Sequence, residues 1–111
     1  MAKPLKTFLF KVRGRKWTVF VYTVEEYLKI EDVGDSHALT DTDLREFYFQ
    51  TKWLDLPTIR HEVVHAFVKE CHVESADLKG QQMEELLADF FAYSLEEFVT
   101  ASEKLWRRLN R

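Results

Sequence analysis

The chain is poor in cysteine, in long apolar runs and in net charge, and each shortage argues against a class of protein. Cys71 is the only cysteine among 111 residues, so no intrachain disulfide can form and the chain suits a reducing compartment. Its first residues, Met1–Lys6, lack an apolar signal region, and no run approaches the ~20 apolar residues of a membrane span. We therefore expect a cytoplasmic protein without a membrane segment.

Positive charge is distributed unevenly, although the net charge of −3 is small. Six basic residues precede the first acidic residue, Glu25; they are Lys3, Lys6, Lys11, Arg13, Arg15 and Lys16. The chain as a whole lacks the basic footprint of nucleic-acid-binding proteins, so we interpret this cluster as the solvated rim of a hairpin and expect no nucleic-acid partner. Binding of DNA or RNA through the hairpin is the alternative, and neutralising these charges would then lower a salt-dependent affinity.

Apolar residues are plentiful: they make up 46% of the chain, which has nine Phe and three Trp. This composition indicates a folded domain with a real core, and the length fits one domain. No internal repeat, low-complexity run or interdomain linker divides the sequence. We expect a single domain over residues 1–111.

The segment His61-Glu62-Val63-Val64-His65 is the most informative feature of the sequence. Residues four apart lie on one face of a helix, so both imidazoles can reach one metal ion. Glu62 is turned by about 100° from His61 on a helix of ~3.6 residues per turn, so it flanks the metal without binding it and can hold a water molecule. The pattern is typical of zinc sites with a general base, although by residue frequency a lone match arises by chance in roughly one chain in a few hundred of this length.

A second helical segment, Glu84–Ala92, supplies carboxylates. Glu85 lies 20 residues after His65, and Asp89 follows four residues later on the same face as two alanines, whose small side chains would let this helix approach the first one closely. We predict Glu85 as the third zinc ligand and Asp89 as the acceptor of the spare ring N–H of a histidine ligand. Glu84 is the alternative ligand, and a solvated face of an amphipathic helix is the alternative to both.

These residues together resemble the gluzincin metallopeptidases, of which thermolysin is the familiar member, because an HExxH helix is followed by a downstream Glu-x-x-x-Asp. The resemblance covers roughly residues 57–93. The segment is also similar to the third-ligand helix of ImmA/IrrE-type peptidases, and the short chain is similar to small HExxH proteins of bacteriophage genomes, whose compartment would be the host cytoplasm. The resemblance implies a peptide or protein substrate and one zinc ion per chain, with His61, His65 and Glu85 as ligands, Glu62 as general base and Asp89 as the partner of a histidine ligand.

A metzincin site does not fit this stretch, because it needs a glycine three residues and a histidine six residues after the second motif histidine. Those positions hold Val68 and Cys71. His72 lies seven residues past His65, which places it about 10 Å farther along a helix axis at ~1.5 Å rise per residue. On an unbroken helix it cannot share the metal, and we interpret it as a polar residue at the helix end that could reach substrate.

The predicted function is hydrolysis of a peptide bond by a zinc-activated water, with Glu62 as the base. The donor to the oxyanion of the transition state is left open: the candidates are Tyr93, Tyr48, His72 and His37. Each of them could equally be an ordinary core, rim or loop residue. The alternative function is a catalytically inactive zincin-fold protein in which zinc supports an interaction surface. Glu62 favours catalysis, because structural zinc sites usually have four protein ligands and need no base.

The predicted fold is α+β and minimal zincin-like, with a small antiparallel or mixed sheet of about four strands packed on the HExxH helix and C-terminal helices. Strands and a short helix occupy about residues 5–50. They form one hairpin of Phe8–Val12 and Trp17–Thr23, a second of His37–Thr40 and Arg45–Gln50, and between them a helix, Val24–Glu31, with a capping box of Thr23 and Glu26. In such folds an edge strand beside the metal helix can bind an extended peptide through its main chain.

Three helices follow in the predicted order. The metal helix covers about residues 57–72, the third-ligand helix about 81–93 and the last helix about 95–109. Ser94 and Glu97 form a second capping-box pattern, which predicts a break before the last helix. Its apolar stripe predicts core packing, with a partner-binding or dimer face as the alternative, and the oligomeric state is left open.

Overall fold

The computed structural model describes residues 1–70 and 80–111. Its elements, in chain order, are strand β1 (Lys6–Val12), strand β2 (Arg15–Tyr22), helix α1 (Val24–Tyr27), strand β3 (Ala38–Asp41), strand β4 (Glu46–Gln50), helix α2 (Leu56–Glu70), helix α3 (Gly80–Asp89), a π-helical segment (Phe90–Ser94) and helix α4 (Leu95–Leu109). No helix in these two ranges is both long and apolar enough to cross a membrane.

The first hairpin forms as the sequence predicts. Strands β1 and β2 pair antiparallel, and Val12 faces Arg15 across a two-residue turn. The turn residues Arg13 and Gly14 both have positive φ, 49° and 81°, as in the type I′ turns that match the right-handed twist of paired strands. The glycine adopts this backbone conformation without steric cost.

The sheet has four strands in the order β1-β2-β4-β3. The predicted second hairpin is confirmed, because β3 and β4 pair antiparallel with Asp41 opposite Glu46. The two hairpins join through a parallel pairing of β2 with β4, which makes the sheet mixed and leaves β1 and β3 at its two edges. The predicted fold class, α+β with a four-stranded sheet and a C-terminal helix, is therefore confirmed.

The main core lies between one face of the sheet and helices α2 and α4. Alternating strand residues supply the sheet side of this core, and the helices supply aliphatic and aromatic side chains. Fully buried members are Trp17, Val19, Phe47, Phe49, Ile59, Val63, Phe67 and Leu105. A second, smaller cluster of Tyr22, Tyr27 and Val33 covers part of the opposite face.

Helix α1 begins as predicted and ends early. The Glu26 backbone N–H donates to the Thr23 hydroxyl at 3.1 Å, which is the predicted N-cap. The helix ends at Tyr27 and does not reach Glu31, because the Lys29 and Ile30 N–H groups bond three residues back, as in a tightening turn.

The predicted capping box at Ser94 does not form, and the chain does not break there. Ser94 makes no capping hydrogen bond, and the chain stays helical from α3 through the π-helical segment into α4. The Ser94 hydroxyl instead accepts a hydrogen bond from Arg13 at 3.3 Å, which ties the π-helical segment to the first hairpin. Helix α4 nevertheless covers the predicted range, Leu95–Leu109.

Candidate active site

Helix α2, which carries the histidine pair, is anchored at its first turn. Asp55 precedes it and accepts hydrogen bonds from the backbone N–H and the hydroxyl of Thr58, at 3.2 and 2.9 Å. Partial burial raises the pKa of Asp55, but the hydrogen bonds from Thr58 outweigh this effect, so that the pKa of the carboxyl lies below its ordinary value. Pro57 falls in this first turn, where its missing N–H costs nothing.

The last turn of α2 is fixed by a buried carboxylate. Glu70 is 7% exposed and accepts from the Arg45 guanidinium at 2.7 Å. A second guanidinium, that of Arg15, lies 3.9 Å from the same carboxylate. The first turn of the helix is therefore capped by Asp55, and its last turn is tied to Arg45 immediately before β4 and to Arg15 of β2.

His61 and His65 lie side by side on the exposed face of α2. Their ring centroids are 5.1 Å apart and the ring planes are inclined by 78°. Ile59, Val63 and Ala66 bury the opposite face of the helix in the core. The helical spacing thus brings the two predicted histidine ligands together, as expected for one ion shared by two neighbouring turns.

Glu62 points away from this exposed face. It is 5% exposed, and the Thr40 hydroxyl donates to its Oε1 at 2.7 Å. Thr40 belongs to β3, the edge strand, and alternation along the strand puts it on the same face as the buried Ala38. Sequence reasoning missed Thr40: the alternation was visible, but nothing in the sequence indicated that Glu62 would turn toward this strand.

A cavity of about 380 Å³ lies between the first half of α2 and the start of β3. Its lining residues are Ser36, His37, Ala38, Pro57, Thr58, His61 and Glu62. The His37 ring stacks on Trp53 with centroids 3.7 Å apart, so this histidine is held in the wall of the cavity. One predicted ligand and the predicted base therefore share a cavity beside the edge strand.

The predicted third ligand does not join the histidines. Glu85 and Asp89 are exposed on α3, as is Glu84. Across residues 1–70 and 80–111 no three His, Cys, Asp or Glu side chains are grouped closely enough to hold a metal ion. The two imidazoles suit zinc in chemistry and spacing, and these ranges contribute no third donor next to them.

The predicted approach of α3 through its alanine face is wrong, because Ala88 and Ala92 are exposed. Larger side chains face α2 instead. They line an apolar cavity of about 410 Å³ between the helices, formed by Val64, Val68, Leu86, Leu87, Phe90, Phe91 and Tyr93 with Asp89 and Ser94. The predicted third-ligand helix therefore does not turn its alanine face toward α2.

The candidate oxyanion donors fall in different places. Tyr93 is 84% exposed, at the apolar cavity just described. Tyr48 lies on the sheet face opposite α2, where burial and its hydrogen bond to Glu46 raise its pKa, so it is not placed to act at the histidines. His72 and Cys71 lie outside the described residues.

The structure thus brings His61 and Glu62 to one cavity with His37, places His65 next to His61 on the exposed face of α2, and leaves Glu85, Asp89 and Tyr48 apart from the two histidines. No family model, no curated protein and no solved structure matches the chain.

Proposed function

We propose that this chain is a zinc-dependent hydrolase of peptide bonds. The observation that carries the proposal is the arrangement on α2: two exposed histidines one turn apart, with the intervening Glu62 turned into a cavity that borders an edge strand. His61 and His65 would hold the ion as neutral imidazoles. When bound, zinc supplies Lewis acidity toward the scissile carbonyl and lowers the pKa of a water.

Glu62 is the proposed general base. Its carboxylate accepts from Thr40 through one oxygen, which leaves the other free to take a proton from the attacking water and to pass it to the leaving amine. Thr40 acts as a positioning residue, because its hydroxyl fixes the carboxylate while that group is buried.

In this proposal, the edge strand β3 orients the substrate peptide. Among the strands that the structure describes, only β4 pairs with β3, so the outer edge of β3 offers main-chain donors and acceptors beside the cavity of Glu62. An extended peptide can pair with such an edge through its own backbone. Substrate would then pass the histidine face of α2 with a carbonyl near Glu62.

Zinc content tests the ligand set. Purified without a chelator or a metal-affinity tag, the wild type should contain about one zinc per chain by elemental mass spectrometry, as three-ligand catalytic sites do. His61→Ala and His65→Ala should each lose the metal. Glu84→Ala, which removes an exposed carboxylate of α3 away from the histidines, is the control and should behave as the wild type. Equal zinc in all four proteins would overturn the assignment.

Glu62→Gln tests catalysis separately from metal binding. The amide keeps an oxygen that can accept from Thr40, so the fold and the zinc content should persist. Cleavage of fluorescein-labelled casein should fall about 10²-fold or more, because the base is gone. A Glu62→Gln protein that cleaves casein at the wild-type rate would contradict the assigned role.

An inactive zinc-binding interaction module is the second candidate. Two observations favour it: Glu62 is largely buried and already hydrogen-bonded, and no third ligand joins the histidines within the described ranges. Zinc bound stoichiometrically by His61 and His65, together with no cleavage of casein or of a random peptide library, would select this function over hydrolysis.

A further inference from the structure

A further cavity lies away from the histidine pair, between the edge strand β1 and helix α4. Its volume is about 940 Å³. Leu9, which is 55% exposed, and Ala101 contribute apolar surface, while the end of β1 and the outer turns of α4 form its walls. We call this cavity the β1–α4 cleft, and the proposed hydrolase site does not use it.

Positive charge dominates the β1–α4 cleft. Six basic side chains line it, against two acidic ones, Glu96 and Glu97; the basic residues are Lys11, Arg13, Lys104, Arg107, Arg108 and Arg111. Arg13 is neutralised by Glu97, with the two charged groups 3.2 Å apart. Lys11, Lys104 and Arg111 have no ion-pair partner in the part of the chain that the structure describes. The free charge in the cleft is therefore positive, although the whole chain carries −3.

The outer edge of strand β1 faces this cleft. It lies at the margin of the sheet and pairs only with β2. The Leu9 carbonyl accepts from the Arg108 guanidinium at 2.9 Å and therefore points away from β2. Main-chain groups alternate in direction along an antiparallel strand, so those of Lys11, two residues on, face the same way. The cleft thus joins the part of the strand edge near Lys11 to a basic wall.

We propose that the β1–α4 cleft binds an acidic, extended peptide segment of a partner protein, which adds to the outer edge of β1. Its backbone would pair with the main chain near Lys11, and its carboxylates would face Lys104 and Arg111. A nucleic acid would satisfy the charges alone, since its phosphodiester backbone cannot pair with a strand edge and its phosphates gain nothing from the apolar surface of Leu9 and Ala101. The strand edge and that surface favour a peptide.

Binding of defined probes tests the proposal. The first probe is a fluorescent eight-residue peptide of alternating Glu and Val, the second replaces each Glu by Gln, and the third is single-stranded DNA of equal charge. The wild type should bind the acidic peptide with an affinity that falls as salt rises, and should bind the Gln peptide and the DNA at least about tenfold more weakly. DNA binding as tight as that of the acidic peptide would overturn the proposal.

Two charge-reversed variants locate the binding site. Lys104→Glu with Arg111→Glu changes exposed residues of the cleft and should weaken peptide binding about tenfold or more. Lys3→Glu with Lys52→Glu makes the same change of net charge at exposed positions outside the cleft and should leave binding within about twofold. Arg108 is kept, because its backbone and side chain hold the end of α4 on β1. Equal losses in both variants would mean that net charge alone attracts the peptide, and the cleft would be excluded as its site.

An N-methylated form of the acidic peptide separates strand pairing from charge. Methyl groups on alternate amides block one edge of the peptide and leave its carboxylates unchanged. Loss of binding by about tenfold supports pairing with β1, and unchanged binding overturns the strand-addition part of the proposal.

Discussion

A hydrogen bond from Thr40 to Glu62 joins the edge strand β3 to helix α2, which carries the two histidines. A carboxylate that is 5% exposed depends on such a donor, because burial removes the water that would otherwise solvate it. The bond therefore has a role in folding as well as its proposed role in positioning the base.

We predict that Thr40→Val destabilises the protein by about 1.5–3 kcal/mol, the usual worth of a hydrogen bond to a charged group. Valine keeps the shape and removes only the hydroxyl. Urea unfolding measures the change, and Thr40→Ser, which retains the donor, should lose clearly less. A Thr40→Val protein as stable as the wild type, with a loss only in Thr40→Ser, would assign the effect to packing of the methyl group and not to the hydrogen bond.

For individual side chains, the sequence predicted contacts within one helix better than contacts between different helices and strands. The neighbouring positions of His61 and His65 follow from helical spacing alone and are observed. The partner of Glu62 depends on how far the sheet extends beside α2, and the position of Glu85 depends on what packs between two helices. Leu86 and Phe90, and not the two alanines, line the cavity between these helices, which the spacing of the carboxylates did not indicate.

Among the elements, α2 depends on the cap at Asp55. Asp55→Ala should lower the free energy of unfolding by about 1 kcal/mol near neutral pH, because the first-turn N–H and the Thr58 hydroxyl lose their acceptor. The pKa of Asp55 is lowered in the folded protein, so the stabilisation by its charged form is present above the unfolded pKa of about 4 and is lost as the pH falls through the folded pKa.

The matched variant Asp55→Asn separates the cap from its charge. Asparagine caps helices about as well as aspartate and does not titrate. Urea unfolding at about pH 7, 5 and 3 should therefore show the gap between wild type and Asp55→Ala close only in the acid range, while Asp55→Asn keeps a nearly constant advantage over Asp55→Ala. A gap between wild type and alanine that does not change with pH would rule out the charged cap.

Helices and turns begin or end where the sequence predicts when a single local interaction determines the boundary. The Thr23 N-cap and the Arg13-Gly14 turn were readable from the sequence and are present, whereas the Glu26 carboxylate of the predicted capping box accepts from Lys3 and Lys29 instead. The same capping pattern at Ser94 failed, because Arg13 from a distant hairpin takes the serine hydroxyl and the helix continues through a π-helical segment. A long-range partner overrode a local signal there.

For the whole molecule, three tyrosines on the second face of the sheet make stability sensitive to alkali. Burial raises the pKa of Tyr22, Tyr27 and Tyr48. The negative charge of Glu46 raises the pKa of Tyr22 and Tyr48 further. For Tyr27, the hydrogen bond with Ser36 lowers the pKa in part and the charge of Glu62 raises it. Unfolded tyrosines lose their protons near pH 10 while the folded ones keep them, so the free energy of unfolding should fall as the pH rises above about 10.

Urea unfolding at about pH 8 and pH 10.5 measures this loss, and absorbance near 295 nm should show tyrosinate forming at higher pH in the folded than in the unfolded protein. Tyr22→Phe removes one of the shifted groups and should reduce the dependence on pH. A wild type equally stable at both pH values would contradict the shared burial of these rings.

The parallel pairing of β2 with β4 has a consequence for the order of folding. Each hairpin closes over a few residues, but β2 meets β4 only when Thr18 reaches Glu46, 28 positions along the chain. Closing so long a connection lowers the entropy of the chain before the contacts between the hairpins form and offset that loss. We therefore expect both hairpins to form early and their docking to limit the folding rate. Because α2 packs on the face that the docked strands create, the histidine helix gains its support in that same step.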